Sequence, residues 1–536
     1  ALHVDLADDA YHLGPATPSQ SYLNIEKILD VAWQSQATAV HPGYGFLAEN
    51  AEFARAVGDA GLDFVGPPAR AMVAMGDKVT ARHVAERVGA PTVPGTQDPV
   101  DAGQAIKESD RIGFPLVVKA AFGGGGKGMR LVRAPGELAD AVERSAREAK
   151  AYFGRPEVYL ERYIERAHHV EAQILADEHG NVSFLGERDC TLQRRYQKLV
   201  EETPSPVVDD ALRARIAESA LAIAKEVGYV NAGTLEFLVD QSGEFYFMEM
   251  NTRLQVEHPV TELCDGVDLV RLQLLVALGE RVELSPEPRG HAIECRINAE
   301  DPFRDFLPGP GLVTGFRPPT GPFVRLDAGV TEGRRVVGDY DSLFAKLIVW
   351  GEDREIARRR MLRALDEFEV EGIPTTIPFH QWVLQTPEFR DATADTRWVE
   401  RALEEGGLKP PEGEPAEIGT SPHARPPLHL NVEVDGHRVP IRVWGEDARM
   451  APPAPPSSAG LHGGHMAGMV AAPMQGTILD VKVVAGQSVE AGDVICILEA
   501  MKMENHIAAT QAGTVAEVSV QKGDVVESGQ PLVVIE

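Results

Sequence analysis

Short apolar runs and amphipathic stretches alternate along the first 75 positions. In "ATAVHPGYGFLAENAEFARAVGDAG" an apolar run meets a Gly/Pro turn and then apolar residues at helical spacing, which predicts strand, turn and surface helix. Repeated units of this kind predict a parallel sheet with ligands at the carboxyl ends of its strands. Ala1 stands inside a run that itself reads as a strand. Beyond it come a helix after Lys78, the strand "PLVVKAA", a glycine loop, the strand "MRLV" and the helix "GELADAVERSAREAK". From about residue 166 to 400 the pattern turns richer in β-structure, and "HAIECRINAED" alternates so that Glu294 and Arg296 share one face and Ile293 and Cys295 the other.

Two stretches break the pattern. The first, Glu404 to Pro427, is dense in Pro, Gly and Glu and reads as linker. It leads into "LNVEVDGHRVPIRVW", whose alternation about Asp435-Gly436 predicts a hairpin. The second, "APPAPPSSAGLHGGHMAG", has an extended Pro half and a flexible Gly half. After it the chain repeats itself: 476–499 aligns without gaps to 513–536 at a constant offset of 37, with nine of 24 positions identical. Two equivalent β-units predict a small all-β barrel with a pseudo-two-fold. Their joint holds "EAMKMENH", so Lys502 is expected at a protruding tip.

"AGTLEFLVDQSGEFYFMEMNTR" carries the sharpest chemical expectation. A two-residue turn at Ser242-Gly243 sets Asp240 opposite Phe245 and Glu236 opposite Glu249, with Asn251 on the same face as Glu249. Opposed carboxylates repel unless a cation lies between them, and Mg²⁺ (or Mn²⁺) fits, because it takes one or two carboxylates plus substrate phosphates. Upstream, Gly123, Gly124, Gly125, Gly126 and Gly128 lie between two strands, where backbone N–H groups approach phosphate oxygens closely. No GK[ST] opens a helix there, so this is not a Walker A loop. Lys78 and Lys119 flank it, and two lysines with a strand-flanked glycine flap resemble an ATP-grasp nucleotide site.

With 536 residues the chain has length for three or four domains. Its net charge, 52 − 81 = −29, disfavours non-specific nucleic-acid or anionic-membrane binding. Four scattered cysteines predict a reducing, cytoplasmic compartment, and no apolar run nears 18 residues.

The "AMKM" joint within a β-repeat resembles the biotin attachment site of biotinyl carrier domains, so the resemblance implies biotin on Lys502, placed there by a biotin protein ligase. From Ala1 to about residue 400, "HPGYGFLAEN", "GERDCTLQRRYQK", "MNTRLQVEHPVTE", "FLPGPG" and "YDSLFAKLI" resemble biotin carboxylase closely. That resemblance implies a multidomain α/β and α+β chain. Residues 1–75 would be a Rossmann-like N-terminal lobe and 76–275 an ATP-grasp domain with a glycine lid at 95–165. Residues 276–403 would form the carboxylase C-terminal domain, 404–469 a linker with a short hairpin, and 470–536 the biotinyl carrier.

The same resemblance implies residue roles. Lys78, Lys119 and His169 contact nucleotide phosphates or ribose, with Gly124, Gly125, Gly126 and Gln193 in the ATP site and Glu161 and Ile164 lining the adenine pocket. Glu236, Glu249 and Asn251 hold the metal. Lys198, Arg253, Gln255 and Val256 surround bicarbonate, Glu257 is its base held ready by the cation Arg253, and Arg296 stabilises the enolate-like oxygen of biotin. Tyr196 also belongs to the ATP site by this resemblance, and there the chain departs from the family, where histidine is usual; a phenol still hydrogen-bonds. The family also begins with a strand and a turn before the position of Ala1, a βαβ unit of roughly 30 or more residues, so the first lobe is expected to be incomplete. As no transferase sequence occurs, the resemblance implies a separate carboxyltransferase β-subunit, acetyl- or propionyl-CoA as acceptor through that partner, and an oligomer. A non-catalytic biotin carrier and the biotin carboxylase part of a pyruvate carboxylase are the alternatives.

Overall fold

The computed structural model of the chain describes residues 2–121, 129–410, 428–434, 437–443, 469–472, 476–500, 503–526 and 530–536. Its centre is an eight-stranded antiparallel sheet. The strand order is Phe245–Asn251, Asn231–Val239, His168–Ala176, Val182–Arg194, Gln197–Thr203, His291–Asn298, Leu343–Gly351 and Val324–Ala328. Period-two alternation decides what each face carries. On one face Val170, Ile174, Leu235 and Phe237 pack with Ile216, Ala220 and Ile223 of helix Asp210–Glu226, and Ile293, Cys295 and Ile297 pack with Met361, Ala364 and Leu365 of helix Arg354–Glu367. The intervening positions put His169, Glu171, Glu236, Glu294 and Arg296 on the opposite face, as the alternation in "HAIECRINAED" predicts for its two members.

One correction concerns the glutamate hairpin. Its loop is three residues, Gln241 to Gly243, closed by Gly243 N–H donating to Asp240 O at 3.0 Å, and the strands resume with Phe245 opposite Val239. Gly243 takes φ 80°, and the Asp240 carboxylate accepts from Ser242 N and Glu244 N at 2.9 and 3.1 Å, which favours this longer turn. A β-bulge between Phe247 and Glu249 then restores the register, so that Glu249 does oppose Glu236.

A separate layer covers the sheet's charged face. Strands Arg130–Val132, Leu116–Ala120 and Val158–Arg162 form a three-stranded sheet with helices Ala102–Ile112 and Leu138–Phe153. They share a core of their own around Leu116, Val118, Leu138, Val142 and Leu160. Asp101 and Gln104 form a reciprocal capping box that starts the first helix. The glycine-loop residues 122–128 lie outside the described residues.

The N-terminal lobe differs from expectation. Its parallel sheet consists of Ala39–Val40 beside Asp63–Phe64, and the chain opens as helix Leu2–Leu6, with none of its residues buried, rather than as a strand. A strand needs a neighbour for its backbone groups, whereas a helical turn satisfies its own. Leu47, Phe53 and Val57 supply the lobe's small core.

Hairpin Leu428–Val434 with His437–Val443 has the predicted register, Val434 opposite His437, and its Asp435-Gly436 tip lies outside the described residues. The C-terminal repeat forms two four-stranded sheets around one core that includes Ile478, Leu498, Val515 and Val533. Strands Gly476–Val481, Ser488–Val489 and Val494–Ala500 recur as Gly513–Val518, Val525–Val526 and Pro531–Ile535. Adding 37 to a strand of one sheet lands on the strand in the same place of the other, which is the pseudo-two-fold in structural form. Ala500 pairs with Met503; Lys502, between them in sequence, lies outside the described residues.

Candidate active site

A cavity of about 690 Å³ opens on the charged face of the central sheet. Lys78, Lys119, His169, Gln193, Tyr196, Lys198, Glu236, Glu249, Asn251, Arg253, Gln255, Val256, Glu257 and Arg296 line it. Two expected residues are not in its wall. Glu161 turns to Lys119 and Arg82, at 2.5 and 3.4 Å, and Ile164 lies half-buried in the loop beyond that strand. Both belong to the three-stranded layer, so their place depends on where that layer sits.

Cross-strand register builds the floor. Glu249 opposes Glu236, Glu236 opposes Glu171, and Glu171 opposes Arg188, so four charged residues form one row across four strands. Such a row survives burial only if countercharges meet it. Arg188, 0% exposed, donates to Glu171 at 3.2 Å and to Gln173, Gln255, Thr234 and Thr261. Lys198 contacts Glu171 directly and reaches Glu257 at 2.7 Å and Glu236 at 3.2 Å. Lys78, first residue of a helix capped by Asp77, binds Glu249 at 2.8 Å.

These contacts set the titration. Burial alone would raise the Glu257 pKa, but Lys198 and then Arg296 hold it well below the usual carboxylate range. Glu236 is lowered in the same way, by Lys198 and His169 against burial. Burial raises Glu171, with Lys198 opposing. For His169 burial favours the neutral ring, and Glu236, 3.0 Å away, outweighs it and raises the pKa.

The cations around Glu257 differ from the sequence reading. Arg296 donates to Glu257 at 2.8 Å and to Glu201 at 2.5 Å, whereas Arg253 is held by Glu49 at 3.0 Å and by Asn251 at 3.1 Å. Glu257 is therefore clamped by Lys198 and Arg296. Glu49, Glu171, Arg188 and Glu201 were not singled out from the sequence. Glu171 was accessible to it, because "HHVEAQILA" alternates; Arg188 lies where register shifts interrupt its strand's pairing on both sides, and no period marks it.

Glu236 and Glu249 offer carboxylate oxygens from adjacent strands, each met by a cation, and Asn251 Nδ2 donates to Glu236 at 2.6 Å. An oxygen-rich pair of this kind fits Mg²⁺ or Mn²⁺ shared with phosphate oxygens. The ligand-atom cluster that Glu236 joins among the described residues is instead with His169 and Glu171, while Glu249 pairs with Lys78.

Replacing Arg188 by methionine is expected to cost about 3–5 kcal/mol of stability, since Glu171 would remain buried with less countercharge. Urea unfolding checks this; a midpoint within error of the wild type would show that Lys198 alone supports Glu171.

Four families match successive parts of the chain: "Biotin carboxylase, N-terminal domain" at residues 1–72, "Carbamoyl-phosphate synthase L chain, ATP binding domain" at 77–285, "Biotin carboxylase C-terminal domain" at 294–401 and "Biotin-requiring enzyme" at 468–535. A biotin-dependent acyl-coenzyme A carboxylase alpha3 subunit of Mycobacterium leprae is 50% identical over 526 residues, 94% of this chain and 87% of that one. A pyruvate carboxylase subunit of Methanothermobacter thermautotrophicus is 48% identical over 404 residues, 75% of this chain and 82% of that one. The biotin carboxylase domain of Hydrogenobacter thermophilus 2-oxoglutarate carboxylase, solved with MgADP, ADP and bicarbonate, superposes with a TM-score of 0.74 at 44% identity, covering 76% of this chain and 91% of that one. With the charged cavity on its antiparallel sheet and the repeated β-domain after it, the chain belongs to the biotin-dependent carboxylases, as a biotin carboxylase joined to a biotin-carrier domain.

Proposed function

We propose that the chain is the α-subunit of an acyl-CoA carboxylase and that its cavity makes carboxybiotin from ATP, bicarbonate and biotin carried on Lys502. The observation that carries the catalytic part is the clamp on Glu257: one buried carboxylate held between Lys198 at 2.7 Å and Arg296 at 2.8 Å. In that clamp Glu257 is ionised but a weak base. Bicarbonate, itself an anion, competes for Lys198; as Lys198 turns to it, Glu257 loses one cation and its basicity rises where the substrate proton arrives. Arg253, Gln255 and the Val256 backbone line the same end and orient the bicarbonate.

Lys78, Lys119 and His169 neutralise the charge that develops on the phosphoryl oxygens of ATP. Glu236 and Glu249 would hold Mg²⁺, which would offset phosphate charge when bound; that both carboxylates pair with lysines, Glu249 with Lys78 and Glu236 with Lys198, supports their being anionic donors. The three-stranded layer with the glycine loop excludes water from the reactive carboxyphosphate. Arg296, fixed by Glu201 and Glu257, stabilises the oxygen of the biotin ring as its nitrogen attacks.

Residues 404–469, between the carboxylase and the carrier, are too few for a transferase domain, and similarity to an acyl-CoA carboxylase alpha subunit supports a separate β-subunit that receives the carboxyl group and selects acetyl- or propionyl-CoA. The linker keeps the carrier at high effective concentration near both centres. Similarity to a pyruvate carboxylase subunit makes pyruvate the rival acceptor. Intact mass after expression with a biotin protein ligase, with ADP release measured with and without bicarbonate, tests the reading. A mass gain of one biotin and bicarbonate-dependent ADP are expected. Biotin without ADP release would leave a carrier only. Transfer to pyruvate rather than acyl-CoA, in the presence of the transferase partner, would replace the acceptor.

A further inference from the structure

Glu294 is a carboxylate on the catalytic face that has no part in the reaction described above. It is 0% exposed, and among the described residues neither of its carboxylate oxygens has a hydrogen-bond partner. Its direct cross-strand partner is Glu201, also 0% exposed. Glu201 spends one oxygen on Arg296 Nε at 2.5 Å, and its other oxygen, Oε2, is likewise without a partner. Cross-strand partners bring their Cβ atoms within about 5 Å on one face, and two ionised carboxylates so placed in an apolar setting repel strongly. Two carboxylates offer acceptors only, so no hydrogen bond forms between them unless one is protonated. A single proton resolves the arrangement, because a Glu294 hydroxyl donating to Glu201 Oε2 gives both orphaned groups a partner.

We infer that Glu294 is a positioning residue for biotin carboxylation: a protonated carboxyl group that donates to Glu201 and thereby fixes the carboxylate that orients Arg296. This rests on the reading of Arg296 given above. The charge of the pair decides which way Arg296 leans. With one proton, Glu201 is a single anion on Arg296 Nε, balanced against Glu257 on Nη2. With none, two anions would stand behind Arg296 and draw it off Glu257.

The surroundings agree. Charged groups facing the pair are Arg296, Lys346, Lys198 and Glu257. Lys346 is engaged by the Val256 carbonyl at 2.8 Å and Asp327 at 3.5 Å. Helix His258–Asp265, packed against these strands, adds His258, neutral because burial and then Lys346 lower its pKa to about 3, and Glu262, bound by Arg325 at 2.7 Å. Helix Arg354–Glu367 meets the other face through Ala357, Met361 and Leu365. Burial raises Glu294 well above the usual carboxylate range, with Lys346 opposing. Burial pushes Glu201 up to about 7, with Arg296 opposing. Both directions agree with the geometry: Glu201 has the Arg296 guanidinium on it and Glu294 has no cation at hydrogen-bond distance among the described residues, so the shared proton belongs to Glu294.

The test uses the full biotinylated chain and two variants. Glu294→Gln keeps an N–H donor at every pH, and Glu294→Leu removes the donor. Infrared difference spectra at pH 8 are expected to show, in the wild type only, the C=O band of a protonated carboxylic acid that shifts in D₂O. Glu294→Leu is expected to slow carboxybiotin formation about tenfold, the effect of one lost charge-linked hydrogen bond, with KM for ATP unchanged. Glu294→Gln should restore the rate and flatten the alkaline limb of the kcat profile, since an amide has no proton to lose. Absence of the band, or a Glu294→Leu chain that carboxylates at the wild-type rate, overturns the inference. Should Glu294→Leu fail to fold, the band and the Glu294→Gln profile decide it: an alkaline limb unchanged in that variant overturns it. A wild-type chain that forms no carboxybiotin sinks the functional reading as a whole, whereas a missing band sinks this role alone.

Discussion

Glu257→Gln is expected to lower bicarbonate-dependent ADP release by about 10²–10⁴-fold, the usual contribution of a general base. The amide keeps the shape and still accepts from Arg296, but it takes no proton. It also removes the anion between two cations, so Lys198 turns wholly to Glu171 and Glu236. KM for ATP should change far less than kcat, because the lysines proposed for the phosphates, Lys78 and Lys119, pair with Glu249 and Glu161 and not with Glu257. Steady-state ADP release with bicarbonate varied checks both. A variant that hydrolyses ATP at the wild-type rate when bicarbonate is present would remove Glu257 from the mechanism.

The second large effect concerns the carrier. Lys502→Arg is expected to abolish biotin incorporation, seen as loss of the whole biotin mass gain, and with it all carboxyl transfer to an acyl-CoA. Arginine keeps the charge and length but is not a nucleophilic amine at neutral pH. The carboxylase cavity is built from residues of the central sheet and its covering lobes, so ADP release supported by free biotin should persist in the same variant. Mass spectrometry of the intact chain beside an ADP assay separates the two. Biotin retained on the variant would mean that another lysine carries it.

How much of this was readable in the residues depends on how local the signal is. Glu236 opposite Glu249 was correct although the turn beside it was misjudged: the extra loop residue and the bulge near Met248 shift the register in opposite senses and cancel at the carboxylates. The face shared by Glu294 and Arg296 followed from alternation alone, since a buried strand with charges at every second position has few other solutions. The 37-residue offset foretold the exchange of the two carrier sheets, because strand order is a consequence of equivalent sequence. What the sequence could not show was who pairs with whom across the site. Arg253 is close to Glu257 along the chain, yet the cations that hold Glu257 are Lys198 and Arg296, 59 and 39 positions away. The same holds for Glu161, whose partners Arg82 and Lys119 come from other elements. The starting strand failed for a related reason: apolar alternation predicts a strand only where a neighbour is present to pair with it.

The three-stranded layer over the cavity owns its hydrophobic core, and that separation has an energetic meaning. Leu116, Val118, Leu138, Val142 and Leu160 bury one another, not the residues of the central sheet. Its internal stability is therefore a private quantity, and opening it as a unit exposes little of what holds the rest together. On the proposed role of this layer as a cover, substitutions inside that small core would alter how often it lifts, and hence turnover, while the charges of the cavity stay where they are. Selection thus has two independent dials on one enzyme, one for the rhythm of access and one for the strength of the reaction.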